Sequence, residues 1–96
     1  MIKNSLKKVR ATFSIRNEKG LHTRPSTELV KCAVRFKSQI NLIYRETVVD
    51  AKSLLGILAL AATKGTKIKV EAIGDDAEQA VQYILELSAN KFNVKY

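Results

Sequence analysis

The chain has 96 residues, 46% of them apolar and 27% charged, which are the proportions of one small globular domain and exclude disorder along its whole length. No apolar run approaches the roughly 18 residues of a membrane-spanning helix, so we expect no membrane insertion. The net charge of +8 comes from the first half, because residues 1–45 carry eleven basic and two acidic side chains whereas residues 46–96 carry six and seven. This asymmetry predicts an acidic partner, which could be nucleic acid, an anionic membrane surface, a phosphorylated substrate or an acidic protein.

A strand, a helix and a hairpin are predicted for the first half of the chain. Residues 9–16 alternate between apolar and polar side chains, which is typical of a strand with one exposed face. The polar cluster at residues 17–20 ends this alternation, and apolar residues at helical spacing then predict a helix from near His22 to about residue 37. Two short strands that pair as a hairpin are predicted at residues 40–44 and 47–49.

A helix, a strand and a last helix are predicted for the second half. Ser53 stands before the apolar residues 54–62 and is a suitable N-cap for a second helix. Residues 67–72 alternate in the same way as the first strand and place Glu71 on the exposed face. Residues 77–88 have the clearest helical periodicity, and Asp75 and Glu78 stand at the spacing of a capping box.

The predicted order of elements, βαββαβα, determines the fold class. Strands with one polar and one apolar face need helices on one side only. We therefore predict an α+β fold, a two-layer open-faced sandwich in which a four-stranded antiparallel sheet carries three helices on one face. Residues 9–96 are predicted to form this single domain, and residues 1–8 are interpreted as a basic N-terminal extension and a candidate mobile tail.

The strongest candidate for chemistry is the loop at residues 20–25, which brings the only histidine, His22, to the start of a helix. Free backbone N–H groups and the positive end of the helix dipole favour an anion there, for which a phosphoryl group is the natural candidate. Arg24 can add charge-assisted hydrogen bonds to phosphate oxygens. A histidine at this position is commonly only a cap or a surface residue, so the pattern leaves that alternative open.

Cys32 lies on the apolar side of the first predicted helix, where we expect inert packing. No metal site is predicted, because one histidine and one cysteine ten residues apart lack the usual set of ligands. A single cysteine cannot form an internal disulfide, and the first 21 residues contain no signal-peptide core. We therefore expect a cytoplasmic protein.

Two linked motifs add to this interpretation. Gly-Leu-His-Thr-Arg-Pro occupies residues 20–25, and Val-Asp-Ala-Lys-Ser-Leu-Leu-Gly-Ile occupies residues 49–57. In this order and spacing they resemble the histidine-containing phosphocarrier (HPr) family of the bacterial sugar phosphotransferase system. The resemblance runs from about residue 9 to residue 92, and the fold of that family agrees with the predicted order of elements. The sequence departs from the family's usual pattern at Thr23, Asp50 and Leu55, none of which is a reacting group.

The resemblance implies a phosphoryl carrier that is not an enzyme and uses no cofactor. His22 would accept the phosphoryl group at Nδ1, leaving Nε2 to solvent or a partner, and Arg24 would hold the phosphoryl oxygens. The implied donor is enzyme I, charged by phosphoenolpyruvate, and the implied acceptors are the A domains of sugar permeases. Ser53 would be the regulatory site of an HPr kinase/phosphorylase, although a serine there is also explained as a cap. The chain is expected to be a monomer, and its implied partner surface comprises Thr23, Thr27, Lys31, Leu54, Leu55 and Leu58.

Two other functions remain open on the sequence alone. A small basic nucleic-acid-binding module would explain the charge, but the chain has no tryptophan and no aromatic cluster on a predicted strand to stack bases. Nucleic acid is therefore not the expected partner. A regulatory HPr-like protein would act mainly through phosphorylated Ser53, although the presence of His22 counts against a purely regulatory role.

Overall fold

The structure is a computed structural model, and it describes residues 7–96. Four strands and three α-helices follow one another in the predicted order, and a 3-10 turn at Lys91–Asn93 comes after the last helix. The strands are β1 (Lys8–Ser14), β2 (Gln39–Tyr44), β3 (Thr47–Asp50) and β4 (Lys67–Ile73). The helices are α1 (Thr23–Ala33), α2 (Leu54–Ala59) and α3 (Ala77–Ala89).

The four strands form one antiparallel sheet in the order β1-β4-β2-β3. Alternate residues of these strands, such as Phe13, Leu42 and Val70, are buried because one face of the sheet packs against the helices. Leu29 of α1 and Ile84 of α3 complete the same core from the helix side. The predicted two-layer open-faced α+β sandwich is confirmed.

Glu71 is buried although the alternating pattern of its strand predicts an exposed position. The residue is only 9% exposed, because Arg10 on the neighbouring strand donates from Nε to Oε2 over 2.7 Å and Lys8 Nζ lies 3.7 Å from the same oxygen. The hydrogen bond from Arg10 is the main reason that the pKa of Glu71 lies below its ordinary value, against an opposing effect of desolvation. The alternating pattern had placed Glu71 on the exposed face, and the two basic neighbours on β1 explain the difference.

The last two residues of the predicted extension at residues 1–8 belong to the folded domain. Residues 1–6 lie outside the described residues. Lys8 begins β1, and the carbonyl of Lys7 accepts a hydrogen bond from Gly74 N at 2.9 Å. Lys7 Nζ also pairs with Glu78 at 3.0 Å, so the boundary at residue 8 is wrong for these last two residues.

Helix α1 ends at Ala33 and does not continue to residue 37 as predicted. The amides of Lys37 and Ser38 turn away from the helix and donate to the carboxylate of Asp76, over 2.9 and 3.0 Å. A carboxylate almost forty residues further along the chain thus takes the place of helical carbonyls, which sequence periodicity could not indicate.

Asp76 also shows that the predicted capping box of α3 is wrong. The N-cap of α3 is Asp76, not Asp75, and its carboxylate makes no capping bond, since it accepts hydrogen bonds from Ser38 and Lys37 instead. The Ser38 hydroxyl is the largest of the causes that hold the pKa of Asp76 below its ordinary value, and the amide of Lys37 is the next. Glu78, the other member of the predicted box, pairs with Lys7.

Helix α2 ends at Ala59, three residues before the predicted end. The chain turns at Ala61, whose φ of +50° lies in the left-handed region, and this turn carries Leu60 and Ala62 into the core. The carbonyl of Ala62 thereby becomes available to the loop that precedes α1.

Candidate functional site

The loop between β1 and α1 is fastened to the turn after α2. Leu21 N donates to the carbonyl of Ala62 over 2.9 Å, and Gly20 N donates to Asn17 O over 3.0 Å. Ser26, buried in the first turn of α1, donates from its hydroxyl to Leu21 O over 3.0 Å. The backbone on both sides of His22 is therefore fixed by hydrogen bonds.

His22 is the N-cap residue of α1, but its side chain does not cap the helix. Its backbone is extended, with φ −82° and ψ −164°, and its carbonyl accepts the first helical hydrogen bond from Ser26 N at 3.0 Å. The alternative of a plain capping role for the imidazole is therefore wrong. The side chain is half-buried and projects from a helix start whose first turn contains no acidic residue, an environment that favours an anion.

Tyr96, which follows the 3-10 turn, covers the imidazole of His22. The two rings are stacked, with centroids 5.5 Å apart and an interplanar angle of 19°. Nε2 of His22 is buried and has no hydrogen-bond partner among residues 7–96. The expectation that Nε2 faces solvent or a partner is therefore wrong for this structure.

Arg24 and Lys19 both lie against Tyr96. Arg24 is exposed, and its Nη1 donates to the Tyr96 hydroxyl at 3.5 Å. Lys19 Nζ lies 4.9 Å from the centroid of the Tyr96 ring, at the distance of a cation–π contact. The site thus combines His22 with two cations and one tyrosine. Sequence reasoning missed Lys19 and Tyr96, and no motif could have indicated Tyr96, which is 74 positions from His22.

Ser53 is the N-cap of α2, as predicted. Its backbone is extended, and its Oγ accepts a hydrogen bond from Gly56 N over 3.0 Å. The residue is half-buried. Asp50 supports the turn before it, because the Asp50 carbonyl accepts from Ser53 N at 2.9 Å and its carboxylate accepts from Lys52 N at 2.8 Å.

The remaining residues of the predicted partner surface differ in exposure. Leu55 is the most exposed large apolar residue of the described chain, at 81%, and Leu54 is 36% exposed. Thr27 is half-buried, and its hydroxyl already donates to Thr23 O at 2.8 Å. Lys31 is exposed and pairs with Glu28 at 3.3 Å. Thr23 is exposed and Leu58 is half-buried.

The described residues offer little for metal or thiol chemistry or for crossing a membrane. Within residues 7–96, no cluster of three or more histidine, cysteine or acidic residues could hold a metal ion. In the same part of the chain, no helix is both long and apolar enough to cross a membrane. Cys32 is half-buried on α1, and its burial raises the pKa of the thiol, with Arg35 opposing this rise.

Comparison with known proteins places the chain in a family. The family model described as "PTS HPr component phosphorylation site" matches residues 9–90. The chain is 39% identical to the phosphocarrier protein HPr of Xylella fastidiosa over 81 residues, which cover 84% of this chain and 91% of that protein. The chain belongs to the HPr family. It is therefore a phosphocarrier protein of the phosphotransferase system and not an enzyme.

Two further matches agree with HPr membership. The chain is 46% identical over 82 residues to a multiphosphoryl transfer protein of Haemophilus influenzae, a match that covers 82% of this chain but only 16% of that much longer protein. A crystal structure of HPr from Thermoanaerobacter tengcongensis superposes with a TM-score of 0.87 at 36% identity, over 92% of this chain and 99% of the other. The βαββαβα sandwich is thus the HPr fold.

Proposed function

We propose that this HPr protein accepts a phosphoryl group on His22 from phospho-enzyme I and passes it to the A domains of sugar permeases, as a monomer in the cytoplasm. The observation that carries the proposal is the imidazole of His22, which makes no capping bond at a helix start free of acidic residues in its first turn. Arg24 lies two positions further on and shares its tyrosine contact with the imidazole. Membership of the HPr family supports the same reaction.

The proposed chemistry is direct transfer of a phosphoryl group from a donor atom on enzyme I to Nδ1 of His22. The Nδ1 lone pair of His22 forms a new N–P bond while the bond from phosphorus to the enzyme I nitrogen or other donor atom breaks, and that electron pair stays with the donor. Such a loose transition state needs positioning and charge stabilisation more than covalent help. The backbone N–H groups of the first turn of α1 and the guanidinium of Arg24 supply that stabilisation.

The experiment is phosphoenolpyruvate-dependent labelling by enzyme I. Incubation of the chain with both should place one acid-labile phosphoryl group on His22, located by mass spectrometry. His22→Ala should abolish the labelling without loss of fold, since the side chain contributes little to the core. Labelling that persists in His22→Ala would refute His22 as the acceptor.

We also propose that Ser53 is a phosphorylation site for an HPr kinase/phosphorylase. Support comes from the position of its hydroxyl at the N-terminus of α2, where a phosphate of about −2 charge is tolerated by the free amides. The exposed Leu54 and Leu55 follow directly, so a phosphate there would add charge beside an apolar surface. Incubation with ATP and such a kinase should label the wild type but not Ser53→Ala, and label on another residue would refute this site.

A further inference from the structure

The two nitrogens of the His22 imidazole differ in access, and the ring of Tyr96 stacks on the same imidazole. Nε2 is buried without a hydrogen-bond partner among the described residues, and the Tyr96 ring lies over the imidazole at 5.5 Å and 19°. A phosphorus atom must approach an imidazole nitrogen in the plane of the ring, along the lone pair. Because Nε2 is buried in this arrangement, a phosphorus atom cannot reach its lone pair.

We propose that Tyr96 is a positioning residue that directs phosphoryl transfer to Nδ1 of His22 by holding the imidazole with Nε2 covered. The inference rests on the proposed role of His22 as phosphoryl acceptor and goes beyond it, because it assigns the choice of nitrogen to a residue far away in the sequence. Tyr96 acts through His22 and does not itself touch the transferred group.

Several contacts hold the segment that carries Tyr96. Asn17, fully buried in the loop before His22, donates from Nδ2 to Lys91 O over 2.9 Å. Phe92 and Val94 anchor the segment in the core, and Phe92 packs edge-on against Phe13 with centroids 6.1 Å apart. Lys19 Nζ, from the loop before His22, lies 4.9 Å from the centre of the tyrosine ring. The stacking on His22 is thus supported from the same loop that presents the histidine.

The ring and the hydroxyl of Tyr96 have separable roles. The ring stacks on His22, whereas the hydroxyl accepts the long, 3.5 Å hydrogen bond from Arg24. Tyr96→Phe removes only the hydroxyl and should retain the covered Nε2. Tyr96→Ala removes both and should release the imidazole. Tyr96 is more than one-third exposed, so neither substitution removes a core residue.

The test uses potassium phosphoramidate, a small donor that phosphorylates histidine without enzyme I. The phosphorus–nitrogen bond of phosphoramidate breaks, ammonia leaves with that electron pair, and a ring nitrogen of His22 forms the new bond to phosphorus. Phosphorus NMR of the product distinguishes Nδ1-phosphohistidine from Nε2-phosphohistidine. Tyr96→Ala should raise the ratio of the Nε2 to the Nδ1 product about fivefold over wild type, which corresponds to about 1 kcal/mol for one aromatic pair.

Two variants serve as controls for the isomer ratio. Tyr96→Phe should give the wild-type ratio. Tyr83→Ala should do the same, because it removes a similarly exposed ring that packs on Phe36 and Arg35 instead of His22. An unchanged ratio in Tyr96→Ala, or an equal rise in Tyr83→Ala, would overturn the inference.

A second measurement reports the stacking without any phosphorylation. The ring protons of His22 should shift downfield in the proton NMR spectrum of Tyr96→Ala, since they lose the ring current of the tyrosine, and should stay in place in Tyr83→Ala. Absence of this shift would also overturn the inference. Neither measurement contains enzyme I. A failure of transfer from enzyme I would therefore refute the proposed function, whereas the isomer ratio and the proton shift would still test the role of Tyr96.

Discussion

Gly20 and Ala62 approach so closely that a side chain at position 20 has no space. A Cβ on Gly20 would overlap the carbonyl oxygen of Ala62, and Gly20 also has a φ of +71°. The neighbouring Leu21 N donates to the same carbonyl. The loop that presents His22 therefore depends on a glycine at this position and on the turn that ends α2.

We predict that Gly20→Ala destabilises the fold more than Gly65→Ala. Both glycines have positive φ, but nothing lies within 4 Å of a Cβ at Gly65, so that variant has only a backbone cost of about 1–2 kcal/mol. Gly20→Ala adds a steric clash with backbone, for which roughly 1–3 kcal/mol more is expected. Urea unfolding of the three proteins measures the difference, and equal destabilisation by both alanines would contradict the packing described.

Arg24→Ala should slow phosphoryl transfer in both directions without abolishing it. In the proposed reaction the guanidinium stabilises charge but does not accept the phosphoryl group. Hydrogen bonds to a charged group are worth about 1.5–3 kcal/mol, which is roughly a 10- to 150-fold change in rate. Rapid-quench measurement of transfer from enzyme I tests this. Arg45→Ala is the control, since it removes an exposed arginine from the turn between β2 and β3. Wild-type rates in Arg24→Ala would show that the guanidinium is dispensable.

Substitution of Ser53 should separate its capping role from its charge. Ser53→Ala loses the bond from Gly56 N and about 1 kcal/mol of stability, with transfer to His22 nearly unaffected. Ser53→Asn and Ser53→Asp both keep a good cap, but only aspartate adds a negative charge that opposes acidic partners. Enzyme I transfer should therefore be slower in Ser53→Asp than in Ser53→Asn, and slower still with phosphoserine. The thermal midpoint and the transfer rate of each form are to be measured together, and equal rates in the two capped variants would leave Ser53 as a cap only.

Asp76 should contribute a pH-dependent part of the stability. Its pKa in the folded protein is lowered by hydrogen bonds from Ser38 and Lys37, so its stabilising effect is fully present above the unfolded-state pKa of about 4 and is lost as the pH falls through the lower folded-state value. The thermal midpoint of Asp76→Asn should therefore fall less steeply than that of wild type below about pH 4. Parallel curves for the two proteins would contradict this role.

Much of the fold follows from short-range patterns in the sequence. The alternation in β1, β2 and β4 reflects one buried and one exposed face, and the periodicity of α3 reflects a single face packed on the sheet. Ser53 was identified as a cap because a serine before an apolar run has a local partner, the amide of Gly56. Predictions of this kind succeed because the residues that determine each strand, helix or cap lie close together in the sequence.

The features that sequence reasoning missed depend on distant partners. Asp76 holds the connection after α1 through Ser38, Arg10 buries Glu71 from another strand, and Tyr96 stacks on His22 from the segment after α3. Each contact joins residues at least 38 positions apart in the sequence, so no local pattern indicates it. The position of His22 was predictable from its motif, but the unequal access to its two nitrogens was not.

The central claim, that His22 carries phosphoryl groups between two proteins, is tested most directly by complete transfer from phosphoenolpyruvate to a permease A domain. The mixture would contain enzyme I, the A domain in large excess and a small amount of this chain, with phosphorylated A domain measured over time. We predict that each wild-type molecule supports many transfers and that His22→Ala supports none. Phosphorylated A domain formed equally well with His22→Ala, or a single labelling of the wild type with no onward transfer, would contradict the account.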